Sequence, residues 1–527
     1  MPIDFNATRR GLLHTAGAVA GLSLSPAWLR QAFAQGAAAK DGGTLTVALS
    51  TNPLTCDPIN MSSHDTEIIS QSIFENLVEF DVDCVLKPQL AKALPTISPD
   101  GLVYGFELRD DVFFQNGQKL TSEDVKYSIE YAIDPAHKAS RGPLFNRISH
   151  VEVDSPTKLR VILKVPYAPW TSFLTKFMGI WPKDSREKYG EDYFRLSPKG
   201  VGTGPGIFEE WKPNDYVSLT KNPNYWQKGL PHWDRLVVKV VPEDATRVAY
   251  LIGGQADIIG APPPRDFARL KARKGLKGGA VVTNGGWCVM LQNQAKPPFD
   301  DLNFRLAIAH AVDRKTIAEK VYYGLVEPSS VPAPASSWWY DPTAAEKLAY
   351  NLEMAKSYIA KSKYKGDELT FELSTSAEPY LLDTNDAAVF LQAELAKIGV
   401  KVVLKKSSFA VMNPAIFRGD YQSAIVNFMS PGEPTYMLLV SSTPGQFLSK
   451  ATGYDSKTMS DLLAASFATE DKTKLKKIYS DMQHTVATDS PCTWIGFFDS
   501  ANLWRDRVQN FKVSQGLTID VRNVWLE

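Results

Sequence analysis

Apolar and polar positions alternate in GGTLTVALS from Gly42, in LVYGFELR from Leu102 and in KLRVILKV from Lys158. Period-two alternation is the mark of a half-buried strand, and Leu102, Tyr104, Phe106 and Leu108 share one face. The spacing changes to helical in TSEDVKYSIEYAI, where Val125, Ile129 and Ala132 form the apolar stripe and Thr121 with Asp124 reads as a capping pair. A further helix is predicted around Thr66 to Leu77. IFEEW and YVSLTKN, joined by KPND, read as a hairpin, RLVVKVVP as a strand and DATRVAYLIGG as a helix ended by glycine. Pro262-Pro263-Pro264 is a rigid break. NFRLAIAHAVDRKTIAEKVYYG then reads as two helices, with Asp313 capping the second.

From Glu368 to Phe428 the order is strand, helix, strand, helix, strand: LTFELST, DAAVFLQAELAKIG, VKVVLKKS, VMNPAIFRG and YQSAIVNF. Strands joined by helices are expected to lie parallel. Ligands on such sheets sit beyond the carboxyl ends of the strands, which directs attention to Phe428 and the segment MSPGEPTYML that follows.

The chain has 527 residues, enough for two or three packed units, with an ordinary 44% hydrophobic and 22% charged content. Its 58 basic and 58 acidic residues cancel, so nothing points to a nucleic-acid partner. The start differs from the rest. Arg9 and Arg10 precede the apolar run Ala16 to Leu24, and Ala32-Phe33-Ala34 is a small-x-small cleavage pattern. This is the layout of an export signal of the twin-arginine kind, cleaved after about Ala34. Its removal leaves 55 basic and 57 acidic residues, a net of −2. No cysteine follows it to carry a lipid, and no other segment has 18 consecutive apolar residues. A protein free in the periplasm is expected. Four cysteines remain, Cys56, Cys84, Cys288 and Cys492. In an oxidising compartment they allow a bridge, Cys56 with Cys84 being the preferred pair, or simple buried thiols.

Chemistry-bearing motifs are sparse. GTGPGIFEEWKP carries Gly202, Gly204 and Gly206 at alternate positions. A phosphate loop needs converging N–H groups backed by a lysine and a helix N-terminus. Pro205 removes one N–H, no Lys-Ser or Lys-Thr follows, and the next segment has strand spacing. Tight passage of the chain is the better account. No two histidines of the mature chain stand at i, i+4, and there is no GxSxG elbow. His310 lies in an apolar helix and reads as a satisfied core histidine. No cofactor, metal or catalytic activity is expected.

Six segments in this order then identify a resemblance: GGTLTVALSTNPLTCDP; IFENLVEFD; LKPQLAKALPTISPDGLVYGFELRDDVFFQNGQKLTSEDVKYSI; GTGPGIFEEWKPNDYVSLTKNPNYW; RLAIAHAVDRKTIAEKVYYG; and LQAELAKIGVKVVL. They run along almost the whole mature chain, which resembles the family-5 solute-binding proteins of ATP-binding-cassette importers, the group with dipeptide, oligopeptide, nickel and opine binders. The resemblance implies an α/β class and a two-lobed periplasmic binding protein-like fold with an extra domain in the first lobe. By similarity the first lobe core is 41–75, 199–283 and 500–527, the extra domain 76–198 and the second lobe 284–499. It also implies capture of a small-molecule ligand by hinge closure, and delivery by a monomer to an inner-membrane permease. Service to a chemoreceptor, or a hydrolase on the same scaffold, are the competing readings.

Peptide-binding relatives hold the ligand's amino group with an aspartate in a segment resembling G-D-x-G-D-P. This chain has Met429-Ser430-Pro431-Gly432-Glu433-Pro434, so Ser430 stands where that aspartate would lie. A serine cannot neutralise an ammonium, which argues against free peptides unless Glu433 takes over. Opine-like conjugates, saccharides and aromatic acids remain open. Position in the lobes nominates Asn52, Trp287, Phe428, Ser430, Glu433, Tyr436, Trp494, Phe497 and Phe498 as ligand-binding residues. Core packing is the competing role of each aromatic, and a helix N-terminal acid that of Glu433. Trp338-Trp339-Tyr340 is either a cleft rim or a hydrophobic plug.

Overall fold

Leu276–Gln292 and Cys492–Arg505, the two longest strands among the described residues, lie side by side and antiparallel in the middle of the main sheet. The computed structural model describes residues 39–61, 65–377, 381–429, 434, 438, 447–469 and 471–527. Every element named below lies within Gly42–Glu527. Among the described residues, eleven strands make the main sheet. In chain order they are β1 (Thr44–Leu49), β2 (Gly206–Lys212), β3 (Tyr216–Lys221), β4 (Arg235–Val240), β5 (Ile258–Gly260), β6 (Leu276–Gln292), β7 (Val326–Pro328), β8 (Thr370–Ser376), β9 (Lys401–Ser407), β10 (Ser423–Met429) and β11 (Cys492–Arg505). Their spatial order is β9-β8-β10-β6-β11-β5-β1-β4-β3-β2, with β7 also on β11.

The long pair joins two half-sheets. Ile258–Gly260 of β5 pairs with Asn502–Trp504 of β11, attaching the first half, in which β1 runs parallel to both β4 and β5. Gly286–Gln292 of β6 pairs with Ser423–Met429 of β10, attaching the second half. There β8 is parallel to β9 and to β10, as the strand–helix alternation predicts. β10 is buried from Ser423 to Asn427, the continuous burial of a strand covered on both faces.

Between the halves the ladder of β6 and β11 breaks. Leu276–Val282 matches Asp499–Arg505, and Trp287–Leu291 matches Cys492–Phe497, with a register shift between Val282 and Trp287. Thr283 staples this crossing. Its hydroxyl donates to the Phe498 carbonyl at 2.7 Å and accepts from the Gly286 N–H at 2.9 Å. Gly286 has no room for a side chain, since a Cβ there would meet the Phe498 ring at 2.7 Å.

A separate four-stranded sheet is built from Thr96–Ile97, Val103–Glu107, Lys158–Leu163 and Ile148–Ser155. The helix Ser122–Ile133 packs on it and buries Val125, Ile129 and Ala132. The predicted cap is present: the Asp124 carboxylate accepts from the Thr121 N–H at 2.8 Å.

The glycine loop serves a close approach. A Cβ on Gly202 would stand 1.9 Å from the Ile73 carbonyl, and one on Gly204 would stand 2.4 Å from that of Ser72. The Gly204 N–H donates to Ile73 at 2.9 Å. These carbonyls close the helix Asp65–Ile73. A helix C-terminus carries partial negative charge, the opposite of what a phosphate requires.

Cys56 and Cys84 form no bridge, and all four cysteines are free thiols. Cys56 is buried with its N–H on the Arg195 carbonyl at 2.8 Å, while Cys84 sits at a tight turn with its N–H on Asp81. Burial pushes the Cys84 thiol up to about 11, so both remain protonated and unreactive at neutral pH. His310 is a satisfied core histidine, with Nδ1 2.8 Å from the Ala349 carbonyl.

Candidate functional site

The carboxyl ends of β1 and β5 and the loop after β8 open on one cavity. β1 contributes Leu49 and Ser50, β5 contributes Gly260 and the turn after it, and the loop after β8 contributes Leu381 and Leu382. β11 crosses between them with Asp499 to Asn502 in the wall. This is the position in which open α/β sheets bind ligands, and the wall draws on both halves and on the strand that joins them.

Next to the crossing lies an aromatic cluster. Trp287 on β6 is fully buried, with its ring centroid 5.8 Å from Phe428 on β10 and 6.2 Å from Trp494 on β11. Trp494 stacks on Phe497 at 5.9 Å and 16°. Strict alternation would put Trp494 and Phe497 on opposite faces. The second register shift, between Cys288 and Val289, leaves Ile495 without a partner and restores both rings to one face. Phe498 falls on the other face, in the core of the second half with Cys288, Met290 and Leu517. The indole N–H groups of both Trp287 and Trp494 are buried and have no hydrogen-bond partner among the described residues. A buried donor left open is costly, and such donors suit a ligand that brings acceptors.

Of the nine nominated residues, the structure brings together Trp287, Phe428, Trp494 and Phe497. Asn52 is turned aside: its side-chain carbonyl accepts from the Asn214 N–H at 3.2 Å, tying β1 to the β2–β3 turn. Ser430, Glu433 and Tyr436 lie outside the described residues. In Trp338-Trp339-Tyr340, Trp339 is the plug, buried against Tyr479 at 5.5 Å, while Trp338 stays exposed.

Asp499, which lines the cavity, is not among the nominated residues. It follows Phe497-Phe498 in a strand that is otherwise apolar or uncharged as far as Trp504, and a lone charge there was the available signal. Burial, followed by the nearby Glu327 carboxylate, pushes it up to about 6. A second buried acid, Glu75, lies apart from this site. Its carboxylate accepts from the Tyr225 hydroxyl at 2.7 Å, the Trp226 indole at 2.8 Å and the Thr203 hydroxyl at 2.9 Å. Burial still outweighs these donors and pushes it up to about 7.

Comparison with known proteins identifies the family and the fold. Residues 85–447 match the family model described as bacterial extracellular solute-binding proteins, family 5, middle region. The chain is 28% identical over 478 residues to the glutathione-binding protein GsiB of Salmonella typhimurium, covering 87% of this chain and 88% of that protein. The structure of AgaA from A. tumefaciens R10 in complex with agropinic acid superposes with a TM-score of 0.82 at 26% identity, covering 92% of this chain and 99% of that one. DppA from Helicobacter pylori, in complex with the peptide STSA, superposes with a TM-score of 0.83 at 24% identity, over 93% and 99% of the two chains.

Proposed function

Because the chain belongs to the bacterial extracellular solute-binding proteins of family 5, we propose that it is the periplasmic receptor of an ATP-binding-cassette importer. It holds a small organic solute where the two half-sheets meet and presents it to an inner-membrane permease. The observation that carries this reading is the cavity at the carboxyl ends of β1, β5 and β8, walled by both halves and by the strand that joins them.

Capture by closure follows from the same geometry. The halves are joined through β6 and β11, and the ladder of these strands breaks at Thr283–Gly286. Hinges are short segments that absorb the change in backbone angles, and a solute that touches both halves favours the shut form only by contacts absent from the open one. Export by an Arg9-Arg10 signal with cleavage near Ala34, and action as a monomer, complete the proposal. Glutathione, named for the Salmonella relative, and agropinic acid, bound in the AgaA complex, are the first solutes to try, with saccharides and aromatic acids after them.

The test is a melting-temperature screen on protein stripped of bound solute, with product analysis on every sample. A ligand present at about 100 times its Kd adds about 2.7 kcal/mol to stability. Stabilisation by one chemical class, with the solute recovered unchanged, is expected. Conversion of a solute to product would contradict the reading.

A further inference from the structure

We infer that Arg247, which stands behind the cavity wall and is not part of its lining, is a positioning residue for solute binding. It holds the turn Gly260-Ala261-Pro262 in the left-handed conformation that shapes the first half's side of the cavity. This rests on the reading of the cavity as the solute site, and it adds a residue that acts on that site through another.

The turn after β5 adopts a backbone that its own sequence disfavours. Ala261 has φ 44°, in the left-handed region where a Cβ meets steric resistance. It also precedes Pro262, whose ring pushes the preceding residue towards extended backbone. Two further wall residues share this conformation: Leu381 has φ 61° and Leu517 φ 67°, and both line the same cavity as Ala261. Such residues persist only where their surroundings over-determine them, and they gather at ligand clamps.

For Ala261 the surroundings are Arg247. It stands in the helix Asp244–Gly253 with its side chain fully buried. Its Nη2 donates to the Ala261 carbonyl at 2.9 Å and to the Asp244 carboxylate at 2.6 Å. Its Nη1 donates to the Val241 and Pro242 carbonyls at 2.9 and 3.2 Å, just past the end of β4. The Val241 N–H in turn donates to the carbonyl of Leu49, the last residue of β1 and itself part of the wall, at 2.8 Å. One guanidinium therefore ties the carboxyl ends of β4 and β5 together, and reaches that of β1 through one further bond. A guanidinium presents its donors in a rigid planar fork, so the acceptors on it cannot shift independently. A buried cation is costly, and the carboxylate beside this one, Asp244, is partly exposed. An apolar side chain would fill the same space without that cost, but it has no donor to hold the Ala261 carbonyl.

The experiment compares the full-length mature parent with Ala261→Gly, Arg247→Met, Arg247→Lys and the double variant Arg247→Met with Ala261→Gly. Each is stripped of solute and its melting temperature taken. Each is then offered the small-molecule extract released by unfolding parent protein from the periplasm, and the bound material is counted by mass spectrometry. Glycine takes the left-handed region without strain, so Ala261→Gly is expected to raise the melting temperature of the stripped parent and to keep its affinity within about twofold. In Arg247→Met nothing holds the turn, and there the same change is expected to bring no rise. Arg247→Met is expected to lose tenfold or more in affinity for the extracted solute, and Arg247→Lys, which keeps the charge but not the fork, to fall between it and the parent. Adding Ala261→Gly to Arg247→Met is expected to recover part of the affinity without recovering the melting temperature, because glycine can still visit the conformation that alanine abandons. Where Arg247→Met does not fold, Arg247→Lys takes its place in the same comparison. An equal rise from Ala261→Gly in both backgrounds, full affinity in Arg247→Met, or a double variant that binds no better than Arg247→Met would overturn the positioning role and leave a solute receptor standing. Parent protein that yields no small molecule on unfolding would remove the receptor reading, and the positioning role with it.

Discussion

Tyr167 and Phe467 meet edge to face with ring centroids 4.6 Å apart, 300 residues from each other in the chain. The Arg147 guanidinium lies over both rings, at 4.2 and 4.5 Å. Arg147 and Tyr167 flank the four-stranded sheet, and Phe467 ends the helix Lys457–Phe467. The contact therefore bridges chain segments assigned by resemblance to opposite lobes.

An aromatic pair of this geometry is worth about 0.5–1.5 kcal/mol and an exposed cation–π contact about 0.5–1 kcal/mol. If the contact exists only in the shut form, Phe467→Ala removes roughly 1–2 kcal/mol from closure, a factor of about 5–30 in the open–closed ratio. The expected result is faster solute release in stopped-flow dissociation with little change in association. Unchanged release would show that the contact persists in both forms.

Trp287→Phe keeps an aromatic ring beside Phe428 and Trp494 and deletes the indole N–H together with part of the ring volume. That N–H has no partner among the described residues, so any fall in the melting temperature of solute-free protein is expected to come from the space the smaller ring leaves in a fully buried place. Solute affinity is expected to fall about tenfold, the worth of roughly 1.4 kcal/mol for a lost hydrogen bond in a dry site. Calorimetry showing full affinity would place Trp287 in the core and not in the binding machinery.

Gly202→Ala would set a Cβ 1.9 Å from the Ile73 carbonyl, a backbone atom with no side-chain freedom to yield. Overpacking of this kind costs about 1–3 kcal/mol, and more where only backbone can yield. A chemical denaturation midpoint well below that of the parent is expected, with the slope unchanged. A variant within about 0.5 kcal/mol of the parent, the range of ordinary surface substitutions, would refute the close-approach account.

Glu75 has a folded-state value of about 7, above its ordinary 4.5, so between these limits the folded protein holds more protons than the unfolded chain. Stability contributed by this group therefore falls as pH rises from about 4.5 to 7 and is regained on acidification. Asp499, at about 6, acts in the same sense. Melting temperatures at pH 5 and pH 8 are expected to differ less in Glu75→Gln than in the parent. An equal difference in both proteins would show that Glu75 titrates normally.

Much of the fold was legible because it rests on short-range patterns. The alternation in β1 and in Val103–Glu107, the Thr121–Asp124 cap and the strand–helix–strand order of β8 to β10 are each set by neighbours in sequence. That order directed attention to Phe428 and the segment after it, whereas the cavity described above is lined by Leu381 and Leu382 after β8 and by none of the nominated residues. What escaped depends on distant partners. Arg186 forms a two-pronged pair with Asp57 at 2.8 Å across 129 positions, and Lys176 meets Glu67 at 2.7 Å with both side chains buried. No local pattern announces such pairs. The face of each aromatic on β11 was also illegible, because a bulge at Ile495 shifts the alternation. Trp494 and Phe497 share a face as a result, and Phe498 joins the core. Asn52, nominated for its place after the first strand, spends its carbonyl on a turn that only the folded hairpin presents.

Small-angle scattering tests the central claim most directly. The protein is purified from periplasm without refolding, and half of it is stripped by reversible unfolding, with solute removal followed by mass spectrometry. A solute receptor that shuts about the β6–β11 crossing should scatter with a larger radius of gyration when stripped and contract again when the released solute is returned. Identical curves for the loaded and stripped forms, with solute release verified, would contradict it.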